Sequence, residues 1–107
     1  MALPDDPLEL GRIAASFRAL AHPTRLQILE ALRGEAVLSP SQLVDQIPPG
    51  PGLANVAYHT RELVSLGLLR PAGRRPVRGA LEHFYRLSSR GRELMDLVDR
   101  LSNVSGA

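Results

Sequence analysis

The chain has 107 residues, a length typical of one domain, and its 44% apolar residues are enough for a single modest core. It contains no Cys, which excludes disulfides, thiolate metal sites and cysteine nucleophiles. No apolar run approaches the roughly 20 residues that span a bilayer, and the N-terminal MALPDDPLEL carries acids where a signal peptide carries Lys or Arg. We therefore expect one cytoplasmic domain over 1–107 that makes no membrane contact, with flexible tails at 1–6 and 104–107.

The basic charge is distributed unevenly along the chain. The net charge is only +2, and every basic residue is Arg. Between Arg70 and Arg92, seven Arg stand against a single acid, Glu82. The guanidinium group makes bidentate bonds to phosphate and stays charged at any working pH, so this stretch favours a phosphate-bearing partner. The alternative is a basic surface that only aids solubility.

The N-terminal half predicts three helices, each beginning with a capping or turn residue followed by Pro. The first runs over 7–20, the second over 23–33 before Gly34, and the third over 40–46. Ser39-Pro40-Ser41-Gln42 has the full pattern of a capping box. In the first helix, apolar residues recur at the spacing of a buried stripe: Leu10, Ile13, Ala14, Phe17 and Ala21.

A fourth helix is predicted over 53–66, after the rigid turn Pro48-Pro49-Gly50-Pro51-Gly52 and before Gly67. At about 100° per residue, Val56, Thr60 and Leu63 share one side of this helix. The opposite side is small, polar and basic, and it consists of Ala54, Tyr58, Arg61 and Ser65, flanked by Asn55 and Glu62. Such a face suits insertion into the major groove of DNA, because Asn and Arg bond base edges and Ala permits close approach.

A hairpin and a last helix complete the chain. A strand begins at Leu68–Leu69, and residues 80–87 alternate with period two as its antiparallel partner. The loop between them, 72–79, is predicted to be exposed and too long for a two-residue turn. The last helix begins near Ser88 or Ser89 and runs to about Asn103. Its apolar stripe and that of the first helix exceed what a small core needs, which favours pairing with a second copy over packing within the chain. The residues predicted to join two copies are Leu10, Ile13, Phe17, Leu94, Leu97, Val98 and Leu101.

Taken together, the elements predict a mainly α-helical chain with one small β-hairpin, in the order α-α-α-α-β-β-α of a winged helix-turn-helix. Two segments, LAHPTRLQIL at 20–29 and VAYHTREL at 56–63 followed by Gly67-Leu68-Leu69, make the resemblance more specific. With them, the chain resembles the arsenic-repressor (ArsR/SmtB) family of bacterial transcription regulators over about residues 8–102.

The resemblance implies a homodimer joined through the first and last helices, with the fourth helix of each copy in successive major grooves of a near-palindromic operator. The stretch Gly73–Gly79 would be the wing tip, whose Arg side chains reach phosphates or the adjacent minor groove. The resemblance assigns DNA binding to Asn55, Ala57, Tyr58, His59, Arg61, Arg74, Arg75 and Arg78. Ser41 is also predicted to bind DNA.

This chain departs from the family in several places. Thr60 stands where the family usually has Leu, and Ala57 where Ser is usual. The paired Cys of the family's metal sensors is replaced by Ser39-Pro40-Ser41, and the last helix carries Asp but no His. We therefore expect no metal and no cofactor.

The leading hypothesis is a sequence-specific regulator that binds double-stranded DNA, most simply as a homodimeric repressor. The alternative is a winged-helix module that binds a protein partner through the same faces. An enzyme is not expected, because no nucleophile–base pair, phosphate-binding Gly loop or carboxylate pair is present in the sequence.

Overall fold

A computed structural model describes residues 5–105 of the chain. Within these residues the order of elements is the predicted one, five helices and a two-stranded antiparallel hairpin. The elements are α1 (Pro7–Leu20), α2 (Pro23–Ala31), α3 (Pro40–Gln46), α4 (Leu53–Ser65), β1 (Leu69–Val77), β2 (Ala80–Leu87) and α5 (Ser89–Ser105). No helix in this part of the chain is both long and apolar enough to cross a membrane. The parts of the predicted tails at 1–4 and 106–107 lie outside the described residues.

The first three helices begin where their Pro residues predict. The Asp6 carboxylate accepts a hydrogen bond from the Leu8 N–H at 3.0 Å. Ser39 and Gln42 form the predicted capping box, in which each side chain accepts from the other residue's backbone N–H. His22 makes no side-chain capping bond, although α2 begins directly after it. Pro has no backbone N–H, but no hydrogen bond is lost at these positions, because the first N–H groups of a helix have no partner within it.

The bounds of three helices differ slightly from the prediction. The second helix ends at Ala31, two residues early, and α5 continues to Ser105. The fourth ends at Ser65, where Gly67 adopts a positive φ of 80°. There the Gly67 N–H donates to the Val64 carbonyl and the Leu68 N–H to the Leu63 carbonyl, at 3.0 Å each. This pair of bonds is a Schellman motif, which favours Gly because an L side chain is strained at positive φ.

The core lies where α2 and α4 meet, and α1, α3, the base of the hairpin and α5 close it. Small residues on α1, Ala15 and Ala19, are its buried members and allow close approach to α2. The buried core cluster is Ala19, Ile28, Leu29, Leu32, Leu43, Ile47, Val56, Leu63, Leu68, Leu69, Leu87, Leu94 and Met95. Because α4 contributes Val56 and Leu63, the helix with the polar face is held by its opposite side.

The predicted loop of the hairpin is wrong. The first strand continues to Val77, and only Arg78 and Gly79 separate it from β2. Both turn residues have positive φ, 49° and 81°, as in the tight turn whose twist matches that of paired strands. Gly73, with φ of 123°, lies in the register shift between Pro71 and Arg74. This shift is a β-bulge, which lets β1 continue beyond Pro71 and Gly73. The turn lacks the usual Asn-Gly or Asp-Gly signal, so the sequence pattern of these residues is that of a loop.

The hairpin, hereafter the wing (residues 69–87), is also joined to the segment before α3. Leu38 pairs with Tyr85 of β2, and their backbones exchange two hydrogen bonds of 2.9 and 3.1 Å. Leu38 directly precedes Ser39, the N-cap of α3. The wing therefore contacts the helix-turn-helix on its β2 side as well as through the chain at its base.

The predicted apolar stripe of α1 is not buried within the chain, which corrects the expectation of a buried stripe. Phe17 is 65% exposed and Leu10 is 38% exposed, because α1 turns Ala15 and Ala19 to the core. On α5, Leu94 belongs to the core, whereas Leu97 is 42% exposed. Met95 is a core residue that was not predicted from the sequence. Because α5 has apolar residues on two sides, their spacing does not show which side faces the core.

Candidate nucleic-acid interface

The fourth helix has two chemically distinct sides, as its periodicity predicts. Val56, Thr60 and Leu63 are fully buried. The Thr60 hydroxyl donates to the Val56 carbonyl at 2.7 Å, so its burial leaves no polar group unsatisfied. The opposite side is exposed and carries Ala54, Asn55, Tyr58, Arg61 and Ser65. The separation of the two sides is confirmed.

The first turn of α4 is open to a ligand. Its N-cap is Gly52, so no side chain occupies the first amides of the helix. Leu53, Ala54 and Asn55 follow and are exposed. Because no side chain caps this first turn, a phosphate or a base edge can approach its backbone N–H groups directly.

Tyr58 lies one turn further along the same side. Its hydroxyl donates to Glu62 Oε1 at 3.0 Å, a pair spaced i, i+4 along the helix. This bond fixes the direction of the phenol ring while leaving the side chain half exposed.

His59 faces α2 rather than the open side. Its Nδ1 accepts a hydrogen bond from Arg25 Nε at 3.0 Å, and Arg25 itself is buried. The His22 ring lies 5.6 Å away, between ring centroids. Burial, then the positive charges of Arg25 and His22, lower the pKa of His59, while Glu62 acts in the opposite direction. The structure therefore holds His59 as a neutral imidazole that packs α4 onto α2.

A groove runs between α4 and the wing. It brings together three of the sequence-predicted residues, Ser41, Ala57 and Arg61. The remaining residues that line it are Pro40, Leu53, Val77, Ala80, Leu81, Glu82, His83 and Tyr85. The groove thus joins one edge of α4, formed by Leu53, Ala57 and Arg61, to the wing.

The three predicted wing arginines have different surroundings. Arg74 and Arg78 are exposed, and neither forms an ion pair with any of the described residues. Arg75 is engaged within the wing, where its Nε donates to Glu82 Oε1 at 2.9 Å. Its guanidinium carbon also lies 5.4 Å from the centre of the Phe84 ring.

Glu82 and Ser39 are site residues that sequence analysis missed. The buried Ser39 hydroxyl donates to Glu82 Oε2 while it accepts from the Gln42 N–H. The hydrogen bond from Ser39, followed by the bond from Arg75, holds the pKa of Glu82 below its usual range. One signal was present in the sequence: Glu82 is the only acid among seven Arg.

The described residues contain no group of three or more His, Asp or Glu side chains placed to hold a metal ion. The rings of His22 and His59 are neighbours, but Nδ1 of His59 accepts a hydrogen bond from the Arg25 guanidinium, which is a donor and not a metal ligand.

Comparison with known proteins agrees with this geometry. Residues 20–72, which include α2, α3 and α4, match a family described as a helix-turn-helix domain. No curated protein matches the chain in sequence.

Solved structures are similar over most of the chain. The transcriptional repressor BigR from Xylella fastidiosa is 25% identical, with 86% of this chain and 84% of that one covered and a TM-score of 0.66. A homodimeric winged helix-turn-helix DNA-binding domain from Mycobacterium bovis, Mb0332, named as a possible ArsR-family regulator, is 24% identical, with 99% and 91% covered and a TM-score of 0.67. A protein from Enterococcus faecalis V583 assigned to the MarR family is 16% identical, with 98% and 90% covered and a TM-score of 0.75. Residues 20–72 are therefore similar to a helix-turn-helix domain, and the chain has the winged-helix fold found in solved structures of ArsR- and MarR-type transcriptional regulators.

Proposed function

We propose that the protein is a sequence-specific DNA-binding regulator of the ArsR type, which acts as a homodimeric repressor at a near-palindromic operator. The observation that carries the proposal is the exposed polar side of α4, which is uncapped at its start and whose Arg61 lines a groove shared with the wing. A helix of this kind fits the major groove of B-form DNA, and a wing of this charge fits the adjoining phosphates.

Within this proposal the residues divide between base edges and backbone. Asn55, Tyr58 and Arg61 would bond base edges, and Ala57 would let α4 approach them closely. Ser41, which is exposed in the first turn of α3, and the exposed wing residues Arg74 and Arg78 would contact phosphate. His59 supports this surface from behind through Arg25.

The homodimer is supported by the surface of α1 and α5. Phe17 and Leu97 are exposed apolar residues that line one groove between these helices, together with the half-buried Ile13. The similar M. bovis protein is homodimeric. Two copies paired here would present two α4 helices with the two-fold symmetry that a palindromic operator requires.

The decisive test is selection of bound fragments from a random pool of duplex DNA by the full chain. At low salt we expect enrichment of an inverted repeat whose half-sites are about one helical turn apart. A chain that enriches no sequence and binds no duplex at low salt would contradict the proposal.

Two substitutions separate the two kinds of contact. Asn55→Ala removes a base-edge donor and acceptor, so it should reduce discrimination between the selected site and a scrambled site by about 1–3 kcal/mol.

Arg78→Ala removes a phosphate contact, so it should weaken binding to both sites and reduce the slope of log K against log salt by about 0.9. Arg12→Ala, on α1 beside Glu9, is the matched control and should leave the slope unchanged. An unchanged slope for Arg78→Ala would exclude its phosphate contact.

One observation favours a second function, a protein-binding module. The groove between α4 and the wing exposes apolar side chains on both of its walls, Leu53 from α4 and Leu81 from β2. Failure to bind any duplex, combined with capture of a defined protein partner that Leu81→Glu abolishes, would favour that function over DNA binding.

A further inference from the structure

The Arg75 side chain makes two contacts with other side chains of the wing. Its Nε donates to Glu82 at 2.9 Å, and its guanidinium lies 5.4 Å from the Phe84 ring centre. The strand register places Arg75 directly opposite Glu82, so the two side chains leave the same face of the hairpin. A cation between a carboxylate and an aromatic face is partly neutralised before any DNA approaches.

Glu82 is held more firmly than an ordinary surface acid. Its side chain is only 16% exposed, whereas that of Arg75 is 62% exposed. The second carboxylate oxygen accepts from Ser39, whose hydroxyl is fixed in turn by the capping box of α3. The adjacent pairing of Leu38 with Tyr85 holds the same edge of the wing. The acid therefore links the wing to the first turn of α3.

This arrangement changes what Arg75 offers to a phosphate. A phosphate that approached the guanidinium would also meet the fixed negative charge of Glu82, and the pair has no net charge. Releasing counterions from DNA requires a cation that is not already neutralised. Arg74 and Arg78, which have no ion pair within the described residues, meet that requirement.

We propose that Glu82 is a positioning residue for DNA binding: it retains Arg75 within the wing and ties the wing to α3, so that Arg74 and Arg78 contact phosphate and Arg75 does not. The inference rests on the proposed function and assigns these residues different roles within it. Ser39 acts in the same network by fixing Glu82.

The experiment measures the salt dependence of binding to one selected duplex for the full chain and five variants. Arg74→Ala should reduce the slope of log K against log salt by about 0.9, and Arg75→Ala should leave it unchanged. Glu82→Gln removes the charge but keeps the shape, so it frees Arg75 and should increase the slope by about 0.9. Glu82→Asp keeps the charge and should leave the slope at the wild-type value.

The double variant Glu82→Gln with Arg75→Ala decides whether Arg75 mediates the effect. Its slope should return to the wild-type value, because the freed cation is gone. A slope equal to that of Glu82→Gln alone would show that Glu82 only repels DNA and would overturn the proposal. A reduction for Arg75→Ala as large as that for Arg74→Ala would overturn it as well.

The network can also be measured without DNA. The Glu82 carboxylate, followed by NMR through its side-chain carbon, should titrate below the ordinary range of Glu, and Ser39→Ala should move its pKa upward. A Glu82 carboxylate with an ordinary pKa in the wild-type chain would overturn the proposed network of Ser39, Glu82 and Arg75. A wild-type chain in which the pKa of Glu82 is lowered but which binds no duplex would instead contradict the proposed function.

Discussion

At the scale of single residues, the neighbour that a side chain faces decides its role. His59 stands on α4 among residues assigned to DNA, yet its ring accepts a hydrogen bond from the buried Arg25. Only the neutral imidazole can accept at Nδ1, because both ring nitrogens of the charged form are donors. The contact between α2 and α4 therefore depends on the protonation state of His59.

The first prediction concerns pH. Burial and Arg25 lower the folded-state pKa of His59 below the ordinary value, so the unfolded chain binds this proton more tightly than the folded chain. The contribution of His59 to stability is therefore complete above about pH 6.5 and is lost as the pH falls through that value toward the lower folded pKa. The test is the urea concentration at the midpoint of unfolding, measured about every half pH unit from about pH 7.5 down to about pH 5.5. As the pH falls, this midpoint should decline more steeply for the wild-type chain than for His59→Gln.

His83→Gln is the control for this pH dependence. His83 is exposed on the wing, and its removal should leave the decline as steep as in the wild-type chain. Equal declines for wild type and His59→Gln would contradict the role assigned to His59.

At the scale of elements, the wing and α5 are positioned by close backbone contacts. A Cβ at Gly91 of α5 would lie 2.1 Å from the Leu68 carbonyl oxygen, just before β1 begins. No side chain fits at that distance, so Gly91 allows α5 to pack directly against the base of the wing. At Gly11 of α1, by contrast, a Cβ would meet nothing within 4 Å.

These two glycines give opposite predictions for the same substitution. Gly91→Ala should destabilise the fold by about 1–3 kcal/mol, since backbone must move to admit the methyl group. Gly11→Ala should stabilise it by about 0.4–1 kcal/mol, because Ala lowers the entropy of the unfolded chain and fits an exposed helix. Urea unfolding of both variants measures the difference, and a neutral Gly91→Ala would contradict the close contact.

At the scale of the whole molecule, the chain leaves an apolar stripe on α1 and α5 exposed. Phe17 is its largest member. In a two-fold dimer each residue of the interface is present twice, and burying a Phe side chain contributes about 1.5–3 kcal/mol. Phe17→Glu should therefore raise the dimer dissociation constant by more than about tenfold and weaken operator binding with it.

Sedimentation equilibrium measures this effect. Leu81→Glu, which places the same charge on an exposed apolar position of the wing, should keep the wild-type association. An unchanged association of Phe17→Glu would exclude this stripe from the dimer interface.

The order of the elements and most of their bounds could be predicted from the residues along the chain. Proline at the start of three helices, glycine at the end of α4 and the periodicity of Val56, Thr60 and Leu63 are local signals, because capping, backbone strain and helical repeat act within a few residues. For the same reason the polar side of α4 was correctly predicted from the sequence.

Tertiary structure alone decided which neighbours the side chains meet. His59 and Arg25 are 34 positions apart, and Ser39 and Glu82 are 43 positions apart, so no local pattern marks either pair. The two-residue turn at Arg78-Gly79 depends on pairing along the whole of β1, including a bulge at Gly73. The apolar stripe of α1 had the spacing of a core face, but Ala15 and Ala19 pack closer to α2 than Phe17 could. Periodicity shows that a helix has an apolar side, whereas only packing decides which side the core takes.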